Sequence, residues 1–156
     1  MQQQSNVPSS CAVADPAEFG SAPVTDNGHA VQFYDNQQFL AAAIADYLAA
    51  GLNAGDSIIV IATAINRAEF QRRLKNRGID TDSDSVRSRV TWMDASETLA
   101  TFMRDSIPDR DLFWSNVATV VERGVRAARP RQVRAYGEMV DVLWKEGNVD
   151  GALELE

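Results

Sequence analysis

Ser57-Ile58-Ile59-Val60-Ile61-Ala62 is an unbroken apolar run, and it constrains the fold more than any other stretch of the chain. An alternating strand can leave one face in water, whereas a continuous run of this kind has to be covered on both. The central strand of a parallel sheet meets that condition, because parallel strands are joined by crossovers that lay helices over the faces. The flanking sequence supplies such helices. Before the run, Phe39, Leu40, Ala43, Ile44, Tyr47, Leu48 and Leu52 recur at spacings of three and four, with Gly51 and Gly55 marking the exit. After it, residues 64–77 turn Phe70 and Leu74 inward and keep Arg67, Arg72, Arg73, Lys75 and Arg77 on the remaining surface, until Gly78 stops the helix.

The alternation continues along the chain. Residues 30–34, 90–93 and 133–136 read as further strands, and Asp35 or Asn36 caps the helix after the first of them. Residues 79–88, IDTDSDSVRS, read as a mobile polar loop. A helix opening at Ser96 and Glu97 is expected to run through Leu99, Phe102 and Met103 to a close at Ile107-Pro108-Asp109. Residues 111–129 form the longest helical candidate, with Leu112, Phe113, Val117, Val120, Val121 and Val125 inward, and Arg129-Pro130 breaks it. Strand and helix in turn give an α/β domain, a mainly parallel sheet flanked by helices with right-handed crossovers.

Residues 1–28 differ from the rest: rich in Gln, Ser, Ala and Pro, without apolar periodicity, they read as a disordered polar leader carrying no secretory signal. The folded domain is residues 29–156, a length suited to one core. A net charge of -7 disfavours nucleic acid and anionic membrane surfaces, and no apolar run reaches the roughly 18 residues of a membrane span. Cys11 and His29 are the only cysteine and histidine, so neither an intrachain disulfide nor a thiolate or imidazole metal cage can be assembled, and the reduced cytoplasm is the expected compartment. A carboxylate and water site for a hard cation stays open. GxxxxGK[ST], GxGxxG and GxSxG are all absent, so the sequence supports no catalytic apparatus and no cofactor.

In an open parallel sheet, ligands bind beyond the carboxyl ends of the strands, and Tyr34, Asp35, Thr63, Asp94, Gly137 and Glu138 all fall on that rim. Glu138, at the corner between the last strand and a helix bearing Met139, Val142, Leu143 and Trp144, is either a ligand acceptor or an acid eased by a helix dipole. Asp94 is a cap or a ligand group. Arg123, Arg126, Arg129, Arg131 and Arg134 either complement a helix C-terminus or form an anion patch. Five extended residues put His29 about 16 Å from Tyr34, at the far end of its strand.

Three blocks carry a family resemblance: HAVQFYD at 29–35, GLNAGD at 51–56 and GEMVDVLWKEG at 137–147. They resemble the MEDS family, a sensory domain named after methanogens and methylotroph regulators of dichloromethane metabolism, and residues 152–156 resemble its closing helix. The resemblance implies a RecA/KaiC-like three-layer sandwich without a functional phosphate loop. It also implies a role in prokaryotic signal transduction, sensing small hydrocarbon derivatives. The positions it carries across are His29, Phe33, Tyr34, Glu138, Met139 and Trp144, to which Tyr136 is added as a pocket neighbour.

The leading expectation is a non-catalytic sensory domain that binds a small organic ligand between Tyr34 and the Glu138 corner. It would signal through a histidine kinase, response regulator or anti-sigma factor, or by forming a homo-oligomer. Two alternatives stand beside it: a purely protein-binding regulator without a ligand, and a residual nucleotide-binding protein using the arginine cluster.

Overall fold

The computed structural model describes residues 36–128 and 132–156. In chain order its elements are α1 (Gln37–Ala54), β1 (Ser57–Ala62), α2 (Ala64–Asn76), α3 (Asp84–Arg87), β2 (Val90–Asp94), α4 (Ala95–Ala100), β3 (Met103–Arg104) and β4 (Ile107–Pro108). They continue with α5 (Arg110–Phe113), a π-helical segment (Trp114–Ala118), α6 (Thr119–Ala128), β5 (Val133–Gly137), α7 (Met139–Lys145) and α8 (Val149–Leu155). The strand expected at 30–34 and the polar leader lie outside the described residues.

The apolar run is the middle strand. β1 pairs in parallel with β2 on one side and β5 on the other, Ile58 opposite Val90 and Arg134. Successive side chains point to opposite faces of a strand, and the core divides accordingly. Ile58, Val60 and Ala62 pack with Leu48 and Leu52 of α1 and Phe70 and Leu74 of α2. Ile59 and Ile61 pack in the other layer with Leu99, Phe102, Val117, Val142 and Leu143. Each buried isoleucine or valine is worth about 1.5–3 kcal/mol, and the one polar residue of the run, Ser57, stands at its less buried end.

The GLNAGD block holds the amino end of the sheet. Gly55 ends α1 at φ 83°, a left-handed conformation glycine adopts without strain. Asp56, 7% exposed, accepts a 2.9 Å bond from Arg134 Nε, and the Arg134 guanidinium lies 5.2 Å from the centre of the Tyr47 ring. The arginine stem passes over Gly51, where an added Cβ would lie 2.5 Å from Arg134 Cδ. Burial pushes the Tyr47 phenol above its ordinary pKa; Arg134 pulls it down and Asp56 raises it.

Two segments differ from the sequence reading. Residues 79–88 are not simply a polar loop: α3 forms within them, and Ile79 and Thr81 are buried. The cause is a Schellman stop at the end of α2, in which Ile79 N–H bonds Leu74 O and Gly78 N–H bonds Lys75 O, carrying Ile79 into the core. The helix expected to run through Phe102 and Met103 ends at Ala100, and a short hairpin of β3 and β4 follows. Its turn holds Asp105 and Ser106 at φ 49° and 67°. Without an Asn-Gly or Asp-Gly pair, that turn gives no sequence signal. The long helix expected at 111–129 is continuous from α5 to α6 but widened by the π-helical segment. Among the described residues no helix is long and apolar enough to cross a membrane.

Candidate functional site

The parallel register brings the carboxyl ends of the strands level, with Ala62 opposite Asp94 and Ile61 opposite Gly137. Thr63, Asp94 and Glu138 therefore share one rim. Asp94 acts there as a cap, Oδ1 accepting from Glu97 N–H at 3.0 Å at the start of α4. Thr63 caps α2, its hydroxyl accepting from Asn66 N–H at 3.4 Å.

Glu138 stands at the N-cap position of α7 yet makes no side-chain bond to that helix. It turns across the rim instead, to the first turn of α2, where it is 3% exposed. One oxygen, Oε1, accepts from the Thr63 backbone N–H. The other, Oε2, accepts from Asn66 Nδ2 at 2.6 Å and from the Tyr136 hydroxyl at 3.3 Å. Asn66, 4% exposed, is fixed by Gln37 Nε2, which donates to its Oδ1 at 2.7 Å. The Tyr136 ring meets Phe70 edge to face, centroids 5.5 Å apart, so core packing aims the hydroxyl. Among the described residues no basic side chain pairs with Glu138; amide dipoles and the positive end of α2 balance its charge.

This network joins the carboxyl ends of β1 and β5 to the starts of α1 and α2. The helix start that Glu138 meets is that of α2 and not that of the helix following the residue in sequence. A carboxylate so placed accepts hydrogen bonds and donates none, which suits it to a donor group on a ligand.

Of the sequence-derived candidates, the structure brings Tyr136 and Glu138 together. Met139 packs into the layer beneath the sheet, on the opposite side from Tyr136. Trp144, 57% exposed, stands at the far end of α7. His29, Phe33 and Tyr34 lie outside the described residues. Arg134 does not belong to an anion patch at the rim, because its guanidinium is committed to Asp56 at the other end of the sheet. Arg129 and Arg131 lie outside the described residues, as does the side chain of Arg126. Two residues of the network, Gln37 and Asn66, escaped the sequence reading. The available signal was an asparagine three residues after a Thr cap, in a first turn where its side chain competes with the helix unless it is held elsewhere. Among the described residues no group of His, Cys, Asp and Glu is arranged to hold a metal.

A family model described as MEDS, the MEthanogen/methylotroph, DcmR Sensory domain, matches residues 28–156. No curated protein and no solved structure matches the chain.

Proposed function

The chain belongs to the MEDS family of sensory domains, and from that premise we propose that it is a non-catalytic receptor for a small organic molecule bound at the carboxyl rim of its sheet. The observation that carries this reading is Glu138, a carboxylate 3% exposed at the rim with no cationic partner among the described residues. A ligand with an apolar body and one donor group, such as an alcohol or an amine, would use it as an anchor. The family motif also contains His29, Phe33 and Tyr34, which lie outside the described residues.

Binding would shift the population of a surface read by a signalling partner: a histidine kinase, response regulator or anti-sigma factor, or a second copy of the chain. The proposed setting is the cytoplasm. The proposed ancestry is a RecA/KaiC-like sandwich that has lost its phosphate loop, with which a parallel sheet covered on both faces agrees.

One observation favours a second reading. Three protein donors already satisfy Glu138, as expected of a regulator that binds only proteins. Nucleotide binding through the arginine cluster is disfavoured by the commitment of Arg134 to Asp56.

The test is a thermal-shift screen against small alcohols, amines, aldehydes, organic acids, halomethanes and nucleotides. A ligand at a hundred times its Kd adds about 2.7 kcal/mol to the folded state. Stabilisation by one small organic class, abolished in a folded Glu138→Gln variant, is the expected result. Stabilisation by nucleotides alone would refute the proposal, and no response beside reproducible partner capture would favour the protein-binding reading.

A further inference from the structure

The same rim carries a concavity on the other side of β1, away from Tyr136 and Glu138. It is a groove of about 360 Å³ at the carboxyl end of β2, floored by Trp92 and walled by Arg67, Asp94, Glu97, Asn116 and Val117. That volume lies at the lower end of the range for small-molecule sites, roughly 300–1,000 Å³.

Three features of the lining go together. First, opposite charges face one groove without meeting. The Arg67 guanidinium lies 5.4 Å from the centre of the Trp92 ring, and among the described residues it makes no ion pair. Asp94 spends Oδ1 on the α4 cap and keeps Oδ2, while the Glu97 carboxylate is exposed. Second, the apolar floor is an indole whose face already accepts a cation, leaving the guanidinium edge to hydrogen-bond a carboxylate. Third, Asn116 and Val117 come from the π-helical segment, an irregularity that occurs mostly as single turns inside α-helices and is frequent at functional sites. Asn116 donates Nδ2 to Thr101 O at 2.9 Å and keeps its Oδ1 as an acceptor.

We propose that this groove binds a small zwitterion of the α-amino acid class, its carboxylate on Arg67, its ammonium on Asp94 and Glu97, and its side chain against the apolar lining of Trp92, Met93 and Val117. A simple anion would meet Arg67 but face two carboxylates. A simple cation would meet the carboxylates but face the guanidinium. A zwitterion satisfies both, and so recognition is selective against either half alone. The site is separate from the Glu138 anchor.

The test uses L-valine with isovalerate and isobutylamine, which keep its branched apolar body but lack the ammonium and the carboxylate respectively. The full chain carries Trp114→Phe and Trp144→Phe, both exposed positions, so that the remaining indole N–H resonance is that of Trp92. The expected result is a saturable shift with valine and at least about tenfold weaker binding of either analogue, the worth of one charge-assisted hydrogen bond. Arg67→Gln, Glu97→Gln and Asp94→Asn, the last keeping a capping oxygen, are each expected to weaken valine by about tenfold. No shift of Trp92, equal binding of all three probes, or binding unchanged by Arg67→Gln would each overturn the proposal. Because the reporter is Trp92, the outcome is read independently of any response at Glu138.

Discussion

Removing the rim carboxylate in two ways should give two distinct results. Glu138→Ala deprives the Thr63 N–H and the Asn66 amide of their acceptor in a site where Asn66 is 4% exposed and Glu138 3%. A buried donor left unmade costs about 1–3 kcal/mol, and the lost dipole interaction adds some tenths, against relief of a buried charge. The net loss should be about 2–4 kcal/mol, or roughly 10 °C in Tm for a domain of this size. Glu138→Gln should cost only about 1 kcal/mol, because the network can turn over. The new amide keeps its oxygen on Thr63 N–H, Asn66 rotates to offer its oxygen to the new NH2, and Gln37 rotates in turn. Asn66→Asp alone sets a second carboxylate where a donor stood 2.6 Å from Glu138 Oε2, and should be severe. Combined with Glu138→Gln, it moves the charge one residue along and satisfies every group. Urea unfolding of the four proteins should therefore show a favourable coupling of at least about 2 kcal/mol. Additivity within about 0.5 kcal/mol would refute the network as described.

Three further outcomes follow from particular contacts. Gly51→Ala should destabilise by about 1–3 kcal/mol although alanine favours a helix, because the new Cβ meets Arg134 Cδ at 2.5 Å and Ile58 Cδ1 at 2.9 Å and pushes the arginine off Asp56; a gain in urea midpoint would show the arginine swings aside freely. Ser106→Gly should stabilise by about 0.5 kcal/mol, since φ 67° strains a side chain and the backbone carbonyl that accepts from Asn148 is kept; an unchanged or lower Tm contradicts the turn geometry. The raised Tyr47 phenol contributes stability that is complete below the unfolded pKa of about 10 and lost as pH rises through the higher folded value. Comparison with Tyr47→Phe in alkaline unfolding checks the sign, and an advantage for tyrosine that grew above pH 10 would reverse it.

The fold was legible where one physical demand dominated. The run at 57–62 needs cover on both faces, and Ile58 and Ile59 do go to opposite layers. Asn36 announces a helix start by chemistry that depends on a single side chain, and it caps as expected. The failures lie where local signals were balanced by contacts distant in sequence. Phe102 fits the helical spacing of Leu99, but it is fully buried against Phe113, edge to face with centroids 5.3 Å apart, after the helix has ended. Asp105 and Ser106 adopt left-handed backbone that their types only tolerate, and Asn148 bonds the Ser106 carbonyl at 2.6 Å from the far end of the chain. No window of neighbouring residues contains that partner.

The site shows the same division. Strand polarity alone predicts that Thr63, Asp94 and Glu138 share a rim, because parallel strands put all their carboxyl ends together. It does not say which way each side chain turns. Tyr136 and Glu138, two residues apart at the end of one strand, converge on one side, whereas Met139, one residue further, opens the helix that packs beneath the sheet. Trp144 shares a conspicuous motif with them but is separated by the length of α7, which carries it to the surface. The motif residues thus serve different ends: Glu138 closes a hydrogen-bond network, Met139, Val142 and Leu143 fill a core layer, and Trp144 remains available at the surface. Only Glu138 combines burial, charge and a place on the rim, so a ligand assay that varies Glu138 addresses the site, while substitutions at Met139 address the packing beneath it.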